Sequence, residues 1–150
     1  MSTYIHKSHN VSVLLYHIVC PIKYRKAVLT ETVSIELSKI CLEISERYDI
    51  HFIEIGTDND HVHFLVQSVP MYSAKQLVQT IKSIIAREIF ERIPIVKWEL
   101  WRGQFWTSGY FVNTVSRHGS ENAIRNYVKS QGKHQTYRKL QENQLTLFNH

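Results

Sequence analysis

His61 and His63 stand one residue apart in the stretch Asp58-Asn59-Asp60-His61-Val62-His63-Phe64-Leu65-Val66. Asp and Asn tolerate the backbone conformations of a tight reversal, and the apolar, β-branched run after them has the composition of a buried strand. Side chains on a strand alternate between faces, so both imidazoles project from one side and Val62 from the other. Two imidazoles aimed at one point are half of a metal site. A histidine on a strand is also often a partly buried, hydrogen-bonded side chain, and the spacing alone does not choose between the two. A second pair lies far downstream. Tyr127 and Gln131 are four residues apart on a helical pattern and share a face with Ile124 and Val128. A tyrosine on such a face is commonly core, and Gln131 at its end can simply face water.

The elements that must hold these residues follow from the hydrophobic pattern. Val11 to Cys20 is nearly all apolar and predicts a central strand covered on both sides and stopped by Pro21. Thr30 to Tyr48 predicts a helix capped by Thr30, with Val33, Leu37, Ile40, Cys41, Ile44 and Tyr48 on its apolar stripe. Ile50 to Ile55 is a second strand, Gly56 to Asp60 reverses the chain, and His61 to Gln67 returns as a third strand. Ser73 and Gln76 have the spacing of a capping box, with Tyr72 and Leu77 placed as a hydrophobic staple. That helix runs to about Glu91, with Leu77, Ile81, Ile84, Ile85 and Ile89 inward and Lys82 and Arg87 outward. Pro94 and Trp98 to Gly103 predict an irregular connection, and Phe105 to Ser116 a strand interrupted at Ser108-Gly109. Ser120 caps a last helix from Glu121 to Gln131, and Gly132 supplies its stop.

The order is strand, helix, strand, strand, helix, strand, with a helix added. It is the α+β, ferredoxin-like split βαβ plan: an antiparallel sheet with two helices on one face and an added C-terminal helix. The 150 residues are expected to form a single domain, with 1–10 and about 136–150 as peripheral tails. Its 43% hydrophobic residues fit a packed core. No apolar run approaches the ~20 residues of a membrane span, and the polar first ten residues lack a signal peptide, so the expected location is the cytoplasm. Cys20 and Cys41 each lie in an apolar pattern and are expected as reduced core thiols. Residues 1–75 carry seven Lys and Arg against eight Asp and Glu, and residues 76–150 eleven against five, so the halves differ at −1 and +6. A basic half suits a polyanionic partner such as nucleic acid, although mildly basic domains are also common for solubility.

The His-hydrophobe-His strand, the Tyr-x-x-x-Gln helix downstream, the YHIVCPIKYR opening and the WELWRGQFWTSGYFV region are taken together. In combination they resemble the small single-tyrosine HUH transposases of bacterial insertion sequences, the IS-two-hundred/six-oh-five class. The resemblance covers nearly the whole chain and is carried by Tyr16 to Arg25, Asp60 to Val66, Lys82, Phe105 to Phe111 and Asn126 to Gln131. It implies that His61, His63 and Gln131 bind a divalent metal, Mg²⁺ or Mn²⁺, and that Tyr127 is the nucleophile. Attack on a DNA phosphate would give a covalent 5′-phosphotyrosine link and free a 3′-hydroxyl that can later rejoin ends. No nucleotide cofactor is needed, because the bond energy is kept, and there is no phosphate-cradling glycine loop.

The implied partners are single-stranded DNA with hairpin ends and a second copy of the chain, whose tyrosine helix completes the neighbouring site. Gly132 and the residues around His118-Gly119 would be its hinges. Lys23, Arg25, Lys26, Lys82, Arg87, Arg92, Lys97 and Arg102 are candidate phosphate contacts. Trp98, Trp101, Phe105, Trp106, Tyr110 and Phe111 crowd the same region, either as stacking surfaces for unpaired bases or as a packed sheet edge or dimer interface. Two other readings compete: a non-catalytic, domesticated DNA-binding regulator with structural histidines, and a repeat-associated or replication-type HUH nickase. The latter usually carries a third histidine and a larger architecture.

Overall fold

The computed structural model describes residues 14–115, together with short strand segments at 6–7, 10–11 and 137–138. Strands β1 (His6–Lys7) and β2 (Asn10–Val11) pair as a small hairpin. The main sheet contains β3 (Leu14–Pro21), β4 (His51–Thr57), β5 (His61–Ser68), β6 (Phe111–Val115) and β7 (Tyr137–Arg138). Its order is β6-β3-β5-β4-β7, antiparallel throughout. The first four strands of that order, β6-β3-β5-β4, have the ferredoxin-like arrangement the element order predicts. Helices α1 (Glu31–Arg47) and α2 (Ala74–Arg92) pack on each other and on the sheet. The helix expected over Glu121 to Gln131 lies outside the described residues.

Register shows which face the helices cover. Tyr16, Ile18 and Cys20 of β3 and Val62, Phe64 and Val66 of β5 share one core with Leu37, Ile40 and Ile44 of α1 and Ile81, Ile85 and Ile89 of α2. The alternate residues of the strands therefore point to the opposite face, where Leu15, Ile53, Leu65 and Val115 form a second, smaller cluster. His17, His61 and His63 have that second parity. Both cysteines are buried free thiols on the helix side. Burial pushes Cys20 up to about 12, which leaves it inert.

The expected helix starts hold. Thr30 accepts from Val33 N at 3.3 Å. Both bonds of the capping box are made, Gln76 N to Ser73 Oγ at 3.0 Å and Ser73 N to Gln76 Oε1 at 2.9 Å. Several boundaries differ from the sequence reading, each for a local reason. β3 begins at Leu14 rather than Val11, because Asn10–Val11 pair in the hairpin instead. Pro21 ends β3 from inside, opposite His61, since only its missing N–H is a liability and its carbonyl still accepts from Thr107 N. Tyr48 is the C-cap of α1 and 37% exposed, not part of the stripe. Gly56 belongs to β4, which shortens the turn to Asp58–Asp60. Pro94 opens a six-residue helix α3 (Pro94–Glu99) where a loop was expected, as proline at the first helical turn allows. The strand expected from Phe105 is confined to Phe111–Val115, with Trp106 making an isolated bridge to Ile22. Two residues of the segment expected as a tail, Tyr137–Arg138, extend the sheet along β4. Among the described residues, no helix is long and apolar enough to cross a membrane.

Candidate active site

β5 carries the two histidines at its first and third positions, and its neighbours fix their surroundings. Directly opposed residues in an antiparallel pair share a face, so Val19 on β3 and Gly56 on β4 flank His63. Gly56 presents no side chain there. His17, one pleat along β3, stacks on His63 with ring centroids 5.5 Å apart, and its Nε2 lies 3.4 Å from His63 Nδ1. His61 meets His63 edge to face at 4.8 Å.

The turn supplies carboxylates. Asp60 Oδ1 lies 2.8 Å from His61 Nδ1, and Asp58 Oδ2 lies 2.7 Å from His61 Nε2. Asp60 is itself fixed, accepting from Arg25 Nε at 3.1 Å through its other oxygen. Its carboxyl is held below the usual range: burial works against this, but the bonds from His61 and Arg25 outweigh it. Ligand atoms of Asp58, His61 and His63 all lie within 4.8 Å of one another.

This donor set suits a cation. His63 is lowered to about 3, chiefly by burial and then by the neighbouring His61 and His17, so its imidazole stays neutral at pH 7. Neutral imidazole is the form that binds metals. The two carboxylates flank His61 one at each ring nitrogen, so oxygen and nitrogen donors lie side by side at the mouth of the strand. Asp58 was read from the sequence only as a turn residue, and His17 was not singled out at all. The signal for His17 was present: it is the one histidine in the apolar run of β3. Tyr127 and Gln131 lie outside the described residues.

The expected DNA contacts fall into two groups. Lys23, Arg25 and Lys26 form the loop beside His61, while Lys82, Arg87, Lys97 and Arg102 line a groove of about 780 Å³ with Phe90 and Tyr110. Lys82 does not simply face outward. It is partly buried, which lowers its pKa, and it donates to Thr107 O at 2.8 Å. Trp106, expected against DNA, is 4% exposed and donates from Nε1 to Lys82 O at 2.9 Å, so its ring belongs to the core. Arg92 is also structural: it meets Glu43 at 2.7 Å, Glu88 at 3.1 Å and Glu36 at 3.4 Å, which raises its pKa. Tyr24, Arg25, Trp101 and Arg102 have φ of 59°, 52°, 53° and 60°, left-handed positions that cost a side-chain-bearing residue roughly 1–2 kcal/mol each.

A sequence profile of the family described as "Transposase IS200 like" matches residues 10–131. The chain is 32% identical over 118 residues to the ISDra2 transposase TnpA of Deinococcus radiodurans, covering 79% of this chain and 84% of that protein. It is 26% identical over 116 residues to the transposase for insertion sequence element IS200 of Salmonella typhimurium, covering 77% and 75%. A crystal structure of a Deinococcus radiodurans R1 chain described as a transposase superposes with a TM-score of 0.67 at 29% identity, covering 85% of this chain and 97% of that one. A REP-associated tyrosine transposase bound to a REP hairpin shares the fold, with a TM-score of 0.59 at 10% identity over 89% of this chain and 74% of that one.

Proposed function

The chain belongs to the IS200-like transposase family, and from that premise we propose that it cleaves and rejoins single-stranded DNA at insertion-sequence ends through a covalent 5′-phosphotyrosine intermediate. The observation that carries this reading is the convergence of His61, His63 and Asp58 within 4.8 Å on one sheet face, in a chain whose family match runs on through Tyr127 and Gln131.

His61 and His63 would hold a divalent metal, with Gln131 as a further ligand and Asp58 beside them. Oxygen donors from an amide and a carboxylate suit Mg²⁺ or Mn²⁺. When bound, the metal polarises a phosphodiester oxygen. The chain's own residues do the rest. His63 stays unprotonated because it is buried. Asp60, tied to Arg25, fixes the ring of His61. Tyr127 Oη loses its proton and attacks phosphorus, the bond to the 3′-oxygen breaks, and the 3′-hydroxyl leaves with a proton. Reversal by another 3′-hydroxyl releases tyrosine and joins a new end, so the phosphoester count is unchanged and no nucleotide is consumed.

The DNA would run past the basic loop at Lys23 to Lys26 and the groove lined by Lys82, Arg87 and Arg102. Hairpins near the element ends would provide the structured part of the substrate. A homodimer in which the tyrosine helix of one copy serves the histidines of the other is part of the same reading. The test is the double substitution His61→Ala with His63→Ala. Cleavage of single-stranded end DNA should be lost while hairpin binding is retained and the chain still melts cooperatively. Normal cleavage by that variant would exclude a role for the histidine pair.

A further inference from the structure

The patch formed by Tyr24, Trp98 and Trp101 has no structural reason to face water. Tyr24 is 59% exposed, Trp98 61% and Trp101 66%, so the fold gains little from burying them. Two loops hold Tyr24 and Trp101 there in left-handed conformations at Tyr24-Arg25 and Trp101-Arg102, while Trp98 stands on α3. The backbone enforces this: Lys23 N donates to Phe105 O at 2.8 Å, and Arg102 N to Lys97 O at 2.7 Å. The rings of Tyr24 and Trp101 meet at 5.0 Å and 69°. Lys26 Nζ sits 4.8 Å from the Trp101 ring, Lys23 Nζ 5.5 Å from Tyr24 and Arg102 Cζ 5.0 Å from Trp98. Strain that persists on exposed, chemically useful side chains is a mark of a functional surface.

We propose that Tyr24 and Trp101 form a stacking platform for unpaired bases of single-stranded DNA, and that it holds the nucleotides next to the phosphate at the histidine pair. The proposal rests on the strand-transfer reading above and adds a site to it. Its position follows from contacts. Arg25, in the Tyr24 loop, bonds Asp60, and Asp60 bonds His61, so the platform begins one residue from the metal-side turn. Its charge points to a nucleic acid. Residues 23–26 and 97–102 carry Lys23, Arg25, Lys26, Lys97 and Arg102 against the single acid Glu99. A second copy docked symmetrically on this patch would bring those like charges together, which disfavours self-association there. A strand of DNA instead offers aromatic faces to the rings and phosphates to the cations that now rest on them.

The test measures binding of the full chain to a labelled, unstructured oligothymidylate without metal, so that cleavage plays no part. Trp101→Ala should weaken binding roughly 5- to 150-fold, the range that stacking one base supplies. Trp101→Phe should stay within about threefold. Trp101→Gly, which relieves the left-handed strain, should bind as poorly as Trp101→Ala while melting no lower than the parent. The salt dependence of binding should be unchanged in the Trp101 variants and shallower in Lys26→Ala. Unchanged affinity in Trp101→Ala overturns the platform. So does a dimer that becomes monomeric in Trp101→Ala with DNA binding intact, which would assign the patch to a second copy. A parent chain that binds no single-stranded DNA at all overturns the platform and the broader reading together, whereas unchanged binding in Trp101→Ala overturns the platform alone.

Discussion

Asp60→Asn separates a residue that orients a metal ligand from one that merely closes a turn. The substitution keeps the volume and the main-chain bond from Ile22 N to Asp60 O at 2.8 Å. It removes the charge beside His61 Nδ1 at 2.8 Å and replaces one of the two acceptor oxygens, which face His61 and Arg25, with an amide NH2 that cannot accept. Loss of such an outer carboxylate typically lowers metal affinity 10- to 100-fold, about 1.4–2.8 kcal/mol. The cost to the fold is smaller. Arg25 is 59% exposed and Asp60 28%, so solvent screens their ion pair to at most about 1 kcal/mol. Mn²⁺ binding followed by calorimetry, with a thermal melt of the metal-free chain alongside, therefore has a clear expectation: affinity falls at least tenfold while the melt moves by a few degrees. Affinity within twofold of the parent would refute the orienting role. A collapse of the melt with it would show that Asp60 is structural.

Other consequences are equally specific. Ser73→Ala removes the bond from Gln76 N to Ser73 Oγ, leaves the backbone donor of the capping box in place, and should lower stability by roughly 1 kcal/mol in denaturant unfolding, without changing cleavage. Arg92→Met unties the three carboxylates between α1 and α2 and should destabilise by about 1–2 kcal/mol, with unchanged affinity for single-stranded DNA; weaker DNA binding would return Arg92 to the interface. His51 is depressed by burial, so the unfolded chain takes up its proton first. Its share of stability is present above about pH 6.5 and is lost as pH falls below it, and His51→Gln should make the fall in melting temperature across that window shallower, the rest coming from His17 and His63, which burial lowers in the same sense. Mixing Tyr127→Phe with the His61→Ala, His63→Ala chain should restore cleavage if tyrosine and histidines come from different subunits, and should not if each subunit is self-sufficient.

The sheet and both long helices were legible because their signals are local. Thr30, Ser73 and Gln76 cap through residues within three positions, and the stripes of α1 and α2 recur at helical spacing. The two histidines were legible for the same reason, since strand alternation places them on one face. What failed depended on distant partners. Nothing near Trp106 announces that its N–H will be taken by Lys82 O, and nothing near Arg92 announces Glu36 and Glu43 on another helix. His17 joins His63 only through the pairing of β3 with β5, although its isolation in an apolar run marked it. Asp58 was hidden by its fitness for a turn. The exposed pair of Tyr24 and Trp101 arises from two left-handed loops that meet across 77 positions of sequence, a separation no window reads.

The most direct measurement is a denaturing gel of the chain incubated with end-labelled single-stranded DNA from the flanks of its own gene, with Mg²⁺ or Mn²⁺ and without either. Strand transfer through tyrosine predicts a metal-dependent protein–DNA adduct that is absent with duplex DNA and absent in Tyr127→Phe. Binding of the same DNA with no adduct under any metal would contradict it, and would leave a DNA-binding protein whose His61 and His63 are ordinary strand residues.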